Sequence, residues 1–518
     1  MGNSDRSATP TWKQFNHPWY AKLGLGIAGY FKNVGIMIWH VIKSIPFKLW
    51  ALILAIGHGF KGLWLRFKNG DWRTRLSYLI MGFGNFSRGP KQFIVGFLYL
   101  AVEALFVVFM VFSGAGYLVK LGTLGTIDEY FDYDANGEWV KFDGDNSLKI
   151  LIFSVLAIAI IIFFIIMYVQ NTKSAFNVQQ RVQNGQGISS PKDQFNNAMN
   201  DNYHITVLAL PVLGVLIITV LPLICNILVA FTNFNYLHSP PSDRFWWTGF
   251  EAFKTTFQGS YGILLWRTLG WTLVWAFFAT FTNFFFGMFL AMIINKKSIK
   301  MKVFWRTCFV IVIAVPDFVS LMMMGQFFSY SNSNIYTGAF NHIIIEWFHI
   351  KTGVGGVNWL GGEAWVARIM VIVINLWRGM PFTMLSTMGI LMNIPEDLYE
   401  SSRIDGAGPV RRFISITFPY IMFVMGPQLI TTFTGNINNF NVIFFLTGGG
   451  PFTNIGGVRY GATNLLITWL YSLTMQDTAL ARYNIGSVIG IFTFIITAFF
   501  ALIVFNSSKS NTQEDTFQ

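Results

Sequence analysis

Glu400 to Pro419 reads ESSRIDGAGPVRRFISITFP, a polar island between two long apolar runs. Carboxylates, arginines and a Gly406-Ala407-Gly408-Pro409 break follow the segment ending at Pro395, and a new apolar run opens at Phe418. A chain that alternates in this way must leave the hydrocarbon and return, so the island is predicted to be a surface loop of a membrane protein. The composition agrees. Of 518 residues, 53% are hydrophobic, 17% aromatic and 12% charged, whereas a soluble domain is about 25% charged. The sequence therefore predicts an all-α polytopic membrane protein.

Eight segments meet the length and polarity required to span a bilayer as a helix: Phe93–Leu118, Leu148–Gln170, Ile205–Phe231, Arg267–Ile294, Val303–Phe328, Ala364–Met392, Phe418–Leu446 and Tyr483–Phe505. Charge bias orients them. Residues 1–92 hold thirteen Lys+Arg against two acids, and Val119–Ser147 holds seven acids against Lys120 and Lys141. The connection Asn295–Lys302 adds four lysines on the N-terminal side. The positive-inside rule predicts that both termini and the Glu400 loop lie in the cytoplasm, with Val119–Ser147 outside.

Before the first span, apolar patches alternate with Lys22, Lys32, Lys43, Lys48, Lys61 and Arg66. The longest, Leu49–Phe60, is too short for the roughly 20 residues of a spanning helix. Lysines beside Trp39, Trp50 and Trp64 predict helices lying in the headgroup region of an anionic leaflet, the alternative being a hairpin of short helices. The first twenty residues lack a compact apolar stretch, which predicts no cleavable signal peptide. Four regions follow: a basic N-terminal cytoplasmic and interfacial region at 1–92, two N-terminal spans plus a linker at 93–204, a core transmembrane region at 205–507 containing the loop 393–419, and a polar tail at 508–518. The linker Asn171–His204 reads as modestly helical, without legible function.

Several functions are disfavoured. A net charge of +12 arises from lysines and arginines beside apolar spans, where they set orientation, so nucleic acid is not the expected partner. Cys225 and Cys308 form no C-x-x-C and belong to no His/Cys cluster, which predicts neither a disulfide framework nor a metal site. No Gly-Lys dipeptide exists, hence no Walker-type phosphate cradle, and the chain is predicted not to hydrolyse ATP alone. No catalytic residue is assigned. A proton-driven carrier keeps several ionisable groups near mid-membrane, but here only Glu103 and Asp317 lie well inside spans. Pro316 frees backbone amides that the Asp317 carboxylate is placed to accept.

Within the loop, Pro395 followed by Glu396 and Asp397 marks a helix start with acids favourably placed against the dipole. Leu398–Asp405 is predicted helical, Gly406–Pro409 ends that helix, and a second helix from about Val410 runs into the next span. A helix, a tight turn and a helix projecting from a membrane suit insertion into a cleft on another protein.

These residues resemble the coupling loop of permease subunits in binding-protein-dependent ABC importers, whose pattern is E-A-A, three residues, G, nine residues, I-x-L-P. Glu400-Ser401-Ser402, Gly406 and Ile416-Thr417-Phe418-Pro419 reproduce the spacing, with serines for alanines and Phe418 for leucine. Asn393–Glu400, Asp405–Pro409, Asn436–Phe440 and Leu446–Pro451 further resemble the MalF-type permease of maltose and maltodextrin importers, over roughly Tyr203–Ser507. The resemblance implies a type I importer permease of the bacterial cytoplasmic membrane. It also implies a second permease subunit, two ATPase subunits that hold the ATP and Mg, an extracellular solute-binding protein, surrounding membrane lipid and an oligosaccharide substrate moved by alternating access. Glu400, Ser401, Ser402, Asp405, Gly406, Gly408, Ile416 and Pro419 would contact or shape the ATPase groove. The sugar pocket would comprise Trp377, Arg378, Gly379 and Phe382 on one span with Thr432, Asn436, Asn438 and Asn439 on another. Indole and phenyl faces pack against pyranose C–H groups, and amides both donate and accept toward hydroxyls. The three asparagines could equally bond packed helices to one another. Arg378 places a charge where the maltose-type pattern is apolar, and Gly435 replaces an aromatic ring, which widens the site. Thr232–Trp266 is too short for the extracellular domain that some MalF-type subunits carry. Rival readings are an ion-coupled secondary sugar carrier, an importer for another solute, or a membrane scaffold or sensor.

Overall fold

A computed structural model describes residues 43–507, apart from 45, 49, 52–53, 56, 134–136, 189, 191, 194–195, 197–198, 202, 297, 332–337, 350–355 and 477–479. The expectations for residues 1–42 and for the tail 508–518 lie outside the described residues. The long helices, in chain order, are α1 (Pro90–Lys120), α2 (Ser147–Gln183), α3 (Tyr203–Val229) and α4 (Gly259–Asn295). There follow α5 (Lys302–Ala314) and α6 (Asp317–Phe327), then α7 (Ala364–Met392), the short α8 (Glu396–Ile404), α9 (Pro409–Ile437), α10 (Phe440–Thr447) and α11 (Tyr483–Ser507). Among the described residues seven helices are long and apolar enough to cross a membrane, and counting the bent pair α5–α6 as one span makes eight. Among the described residues two antiparallel strand pairs accompany them, β1 (Tyr130–Tyr133) with β2 (Trp139–Phe142) and β3 (Phe452–Ile455) with β4 (Val458–Gly461).

Three spans differ from the sequence-based expectation. Val303–Phe328 is not one straight helix, because α5 and α6 meet at 97° across Val315-Pro316. Pro316 lacks an N–H and clashes with the preceding turn. Phe418–Leu446 stops at Ile437, and α10 begins anew at Phe440, its first turn capped by the Asn439 side chain accepting from Val442 N at 3.3 Å. Asparagine competes with helix continuation in this way. The second span continues without a break through Gln183, well past Gln170.

Contacts group the chain into two compact units. In the first, residues 1–116 with 156–213, the extension of α2 has a structural purpose. Tyr168, Asn171 and Gln179 recur at helical spacing along it and bind the segment 69–92. Tyr168 Oη donates to Tyr78 O at 2.9 Å, Asn171 Nδ2 donates to Ser77 O at 3.0 Å, and Gln179 Oε1 accepts from Asp71 N and Thr74 Oγ1, both at 2.9 Å. Arg88, its side chain 4% exposed, pairs with Asp71 and donates to Ala175 O at 3.0 Å. Glu103, the first of the two carboxylates within spans, accepts from Met81 N at 2.8 Å and holds the turn before α1. Burial would raise the Asp71 carboxyl, but hydrogen bonds from Arg88 and from Thr74, with the Arg88 charge, outweigh it and hold it below the ordinary 3.8.

Arg88→Met leaves Asp71 without its cation and is expected to destabilise this unit by about 3 kcal/mol, the low end for breaking a buried pair because Asp71 is partly exposed. Early proteolysis within 69–92 in the membrane-embedded protein would report it. Since the folded pKa lies below the unfolded one, the pair's contribution is fully present above 3.8 and is lost as pH falls through the lower, folded value. Acid titration of the wild type should therefore reproduce the Arg88→Met proteolysis pattern, and Arg88→Met itself should respond less to acid.

The second unit, residues 117–155 with 214–518, is built around α4. Ala276, Thr280, Gly287 and Ala291 are buried along one face of it, spaced so that neighbouring backbones approach closely. In lipid, where no hydrophobic effect favours one apolar surface over another, such packing of small residues is a main source of helix association. Helix α7 runs along α4, and α9 packs on the same helix. Trp275 and Trp469 are fully buried, and Arg368 stacks 4.7 Å over the Trp271 ring while its Nε donates to Ala462 O at 2.9 Å. These contacts tie the end of β4 to the span bundle.

Candidate functional site

Two features of the second unit stand out, a projecting loop and a cavity. The loop begins at Pro395, whose fixed φ starts α8, with Glu396 and Asp397 in the first turn beside the helix's positive end. At its far end the backbone turns through Gly406, φ +73°, and Ala407 N donates to Ser402 O at 2.9 Å while Asp405 N donates to Ser401 O at 3.0 Å. That left-handed turn favours glycine. Pro409 then occupies the first position of α9, where an N–H has no partner in any case. Tyr399 Oη and Thr417 Oγ1 meet at 2.8 Å and fix α8 against the returning helix.

The predicted helix, turn and helix are all present. Glu400, Ser401, Asp405, Gly406, Gly408 and Pro419 are exposed, while Ser402 and Ile416 are half-buried. The loop also bears apolar residues that no contact within the chain covers well: Ile404 is 87% exposed, Val410 71% and Ile414 59%. On a segment that is too polar to remain in hydrocarbon, such a patch is surface available to a protein or membrane partner.

The cavity, about 290 Å³, lies among five helices and falls near the lower end of the ~300–1,000 Å³ range of ligand pockets. Helix α4 contributes Thr280, Asn283 and Phe284, and α7 contributes Asn375, Arg378, Gly379, Phe382 and Thr383. From α9 come Met425, Gln428, Leu429, Thr432 and Asn436, and the α5–α6 bend adds Val312, Ile313 and Asp317. Arg378 is fourteen residues from either end of α7, half-way along a crossing helix. A charge at such a depth costs about 2.5–3.5 kcal/mol on insertion scales and persists where it is paired and used. Arg378 is paired with Asp317 through Nη1 and Oδ2. The carboxylate expected to serve backbone amides after Pro316 thus reaches across to α7 instead.

Of the predicted pocket residues, the fold brings Arg378, Gly379, Phe382, Thr432 and Asn436 together and leaves Trp377, Asn438 and Asn439 outside the lining. Asn436, 9% exposed, donates to Thr280 Oγ1 at 3.0 Å and accepts from Asn439 Nδ2 at 3.2 Å. Asn438 Nδ2 donates to Thr497 Oγ1 at 3.2 Å. Gly435 is also outside the lining, though a Cβ there would meet open space. Sequence reasoning missed Thr280, Asn283, Asn375 and Gln428. Their one available signal was polarity within apolar runs, and it does not say which helix face meets which neighbour.

Gly379 is where α7 approaches the α4 side of the cavity closely, since a Cβ there would run into the Asn283 amide. Gly379→Val is accordingly expected to force Asn283 aside and reduce transport about tenfold, the cost of over-packing by about 1–3 kcal/mol. Unchanged uptake kinetics in this variant would show that the cavity is not on the transport path.

The fold and site define a polytopic helical membrane protein with a polar cavity among its spans. The profile described as "Binding-protein-dependent transport system inner membrane component" matches residues 283–509. The chain is 33% identical over 447 residues to the galactooligosaccharides transport system permease protein GanP of Bacillus subtilis (strain 168), covering 84% of this chain and 97% of that protein. It is 29% identical over 449 residues to the maltodextrin transport system permease protein MalC of Streptococcus pneumoniae serotype 4, covering 86% and 97%. Against the maltose/maltodextrin transport system permease protein MalF of Escherichia coli (strain K12), identity is 30% over 239 residues, 46% of this chain and 44% of that one. The chain belongs to the family of inner-membrane permeases of binding-protein-dependent transport systems. It is an integral inner-membrane protein, and membership implies a partner permease, an ATPase and a binding protein.

Proposed function

We propose that this chain is one of two permease subunits of an ATP-driven importer for an oligosaccharide of the maltodextrin or galactooligosaccharide class. The observation that carries the importer reading is the exposed α8–Gly406–α9 projection between two spans, with Ile404 and Val410 uncovered at its tip. The sugar class is supported by the transport systems of the relatives and by a mid-span cavity rich in amide and hydroxyl side chains. In this reading both termini and the loop face the cytoplasm. ATP and Mg reside in two ATPase subunits that grip Glu400, Ser401, Ser402, Asp405 and Gly408. Closure of those subunits, transmitted through Ile416 and Pro419 into α9, turns the cavity from the outside to the inside. A sugar-loaded binding protein docks on the external connections, among them the β3–β4 pair.

The test is uptake into proteoliposomes containing both permeases, the ATPase and the binding protein. Saccharide should accumulate with ATP and persist when ion gradients are collapsed. Uptake that survives ATP removal but fails without an ion gradient would instead establish a secondary carrier. ATP hydrolysis without accumulation would establish a sensor.

A further inference from the structure

Asp317 and Arg378 come from different spans and meet on the wall of the cavity. Arg378 is held mostly out of solvent, its side chain 21% exposed, whereas the Asp317 side chain is 53% exposed. Among the described residues lining the cavity these are the only charged ones. Two polar atoms of residues that line it, Arg378 Nε and Asn283 Oδ1, are buried without a hydrogen-bond partner among the described residues. Such orphans are rare and call for a partner that the chain does not itself supply. A hydroxyl both donates and accepts, so a polyhydroxylated ligand matches a guanidinium donor and an amide acceptor. A carboxylate on the ligand would meet a guanidinium whose charge is already taken by Asp317, with the Asp317 charge opposing it.

We propose that the Asp317–Arg378 pair is the charge filter of the substrate site, admitting uncharged saccharides and rejecting acidic ones because Asp317 neutralises the cation on the cavity wall. This rests on the oligosaccharide reading above. The filter explains why a charged arginine is compatible with a neutral ligand, and it predicts that selectivity is inverted by removing the carboxylate alone. With Asp317 gone, the guanidinium is free to take a ligand carboxylate in two parallel hydrogen bonds.

The test is equilibrium binding to the assembled, detergent-purified transporter without its binding protein, so that only the transmembrane site is read. The probes are radiolabelled neutral gluco- and galacto-oligosaccharides and the same compounds oxidised at the primary alcohol to uronates. Wild type should bind neutral probes and exclude uronates. Asp317→Asn, close to isosteric, should raise the uronate-to-neutral binding ratio by about tenfold or more, as expected when a like charge is removed and an opposite one uncovered. The double variant Asp317→Asn with Arg378→Leu should lose uronate binding again, its uronate-to-neutral ratio falling back to the wild-type value or below, while loss of the guanidinium donor also weakens neutral binding. Co-purification of the ATPase verifies assembly in each case. Neutral binding with an unchanged ratio in Asp317→Asn, or uronate binding retained in the double variant, overturns the filter and leaves the oligosaccharide reading standing. Wild type that binds no saccharide overturns both.

Discussion

Gly406→Pro should abolish uptake while leaving the protein inserted in the membrane. Gly406 has φ +73°, whereas a proline ring fixes φ near −65°, so the turn between α8 and α9 cannot form as it stands. The mismatch costs about 3 kcal/mol or more, equivalent to about a hundredfold shift against the closed turn. Proline would also remove the Gly406 N–H, which donates to Arg403 O at 3.0 Å. Alanine retains that N–H and bears only the left-handed penalty of about 1–2 kcal/mol. Uptake should therefore fall in the order glycine, alanine, proline, with Gly406→Ala about tenfold down. Glu400→Lys reverses the charge of an exposed side chain on α8 and should lower ATPase co-purification without melting the loop. Full uptake by Gly406→Pro would show that this turn carries no coupling.

Asn436→Ala should weaken transport about tenfold while ATPase association is retained. Asn436 lines the cavity, is nine-tenths buried, and binds Thr280 and Asn439 at once. Its truncation leaves the Thr280 hydroxyl and the Asn439 amide short of a partner, a cost of about 1–3 kcal/mol. Asn439 needs a different substitution, because its oxygen caps α10 and loss of a cap alone costs about 1 kcal/mol. Asn439→Ser keeps a capping oxygen and deletes only the amide donor to Asn436. If Asn436 contacts substrate, Asn436→Ala should raise the half-saturating substrate concentration more than Asn439→Ser does. Equal effects from the two would assign both residues to helix packing alone.

The loop was legible in sequence because every determinant in it is local. Pro395, Glu396, Asp397, Gly406 and Pro409 act through φ, a missing N–H or the first-turn dipole, none of which depends on a distant residue. Seven of the eight expected spans were legible for a similar reason, since length and apolarity suffice for a helix to cross hydrocarbon. Where a helix-breaking residue interrupts a span, the reading by length failed. Pro316 turned one segment through 97°, and Asn438-Asn439 divided another. The polar stretch after Gln170 shows the opposite error. Its polarity suggested a linker, yet Asn171 and Gln179 are buried there as partners for Ser77, Asp71 and Thr74.

By itself, then, the sequence determined a polytopic helical membrane protein, its charge bias, and a helix–turn–helix loop of coupling-loop pattern. Only the tertiary structure decided that Asp317 pairs with Arg378, that Asn439 caps a helix while Asn436 faces a cavity, and that Glu103 holds the turn before α1. The division follows from the range of the forces. Backbone dihedrals and hydrophobic length are properties of a few neighbouring residues. The partner of a charge or an amide inside a membrane is set by which face of one helix meets which face of another, and helices that are apolar nearly all round leave those faces unmarked.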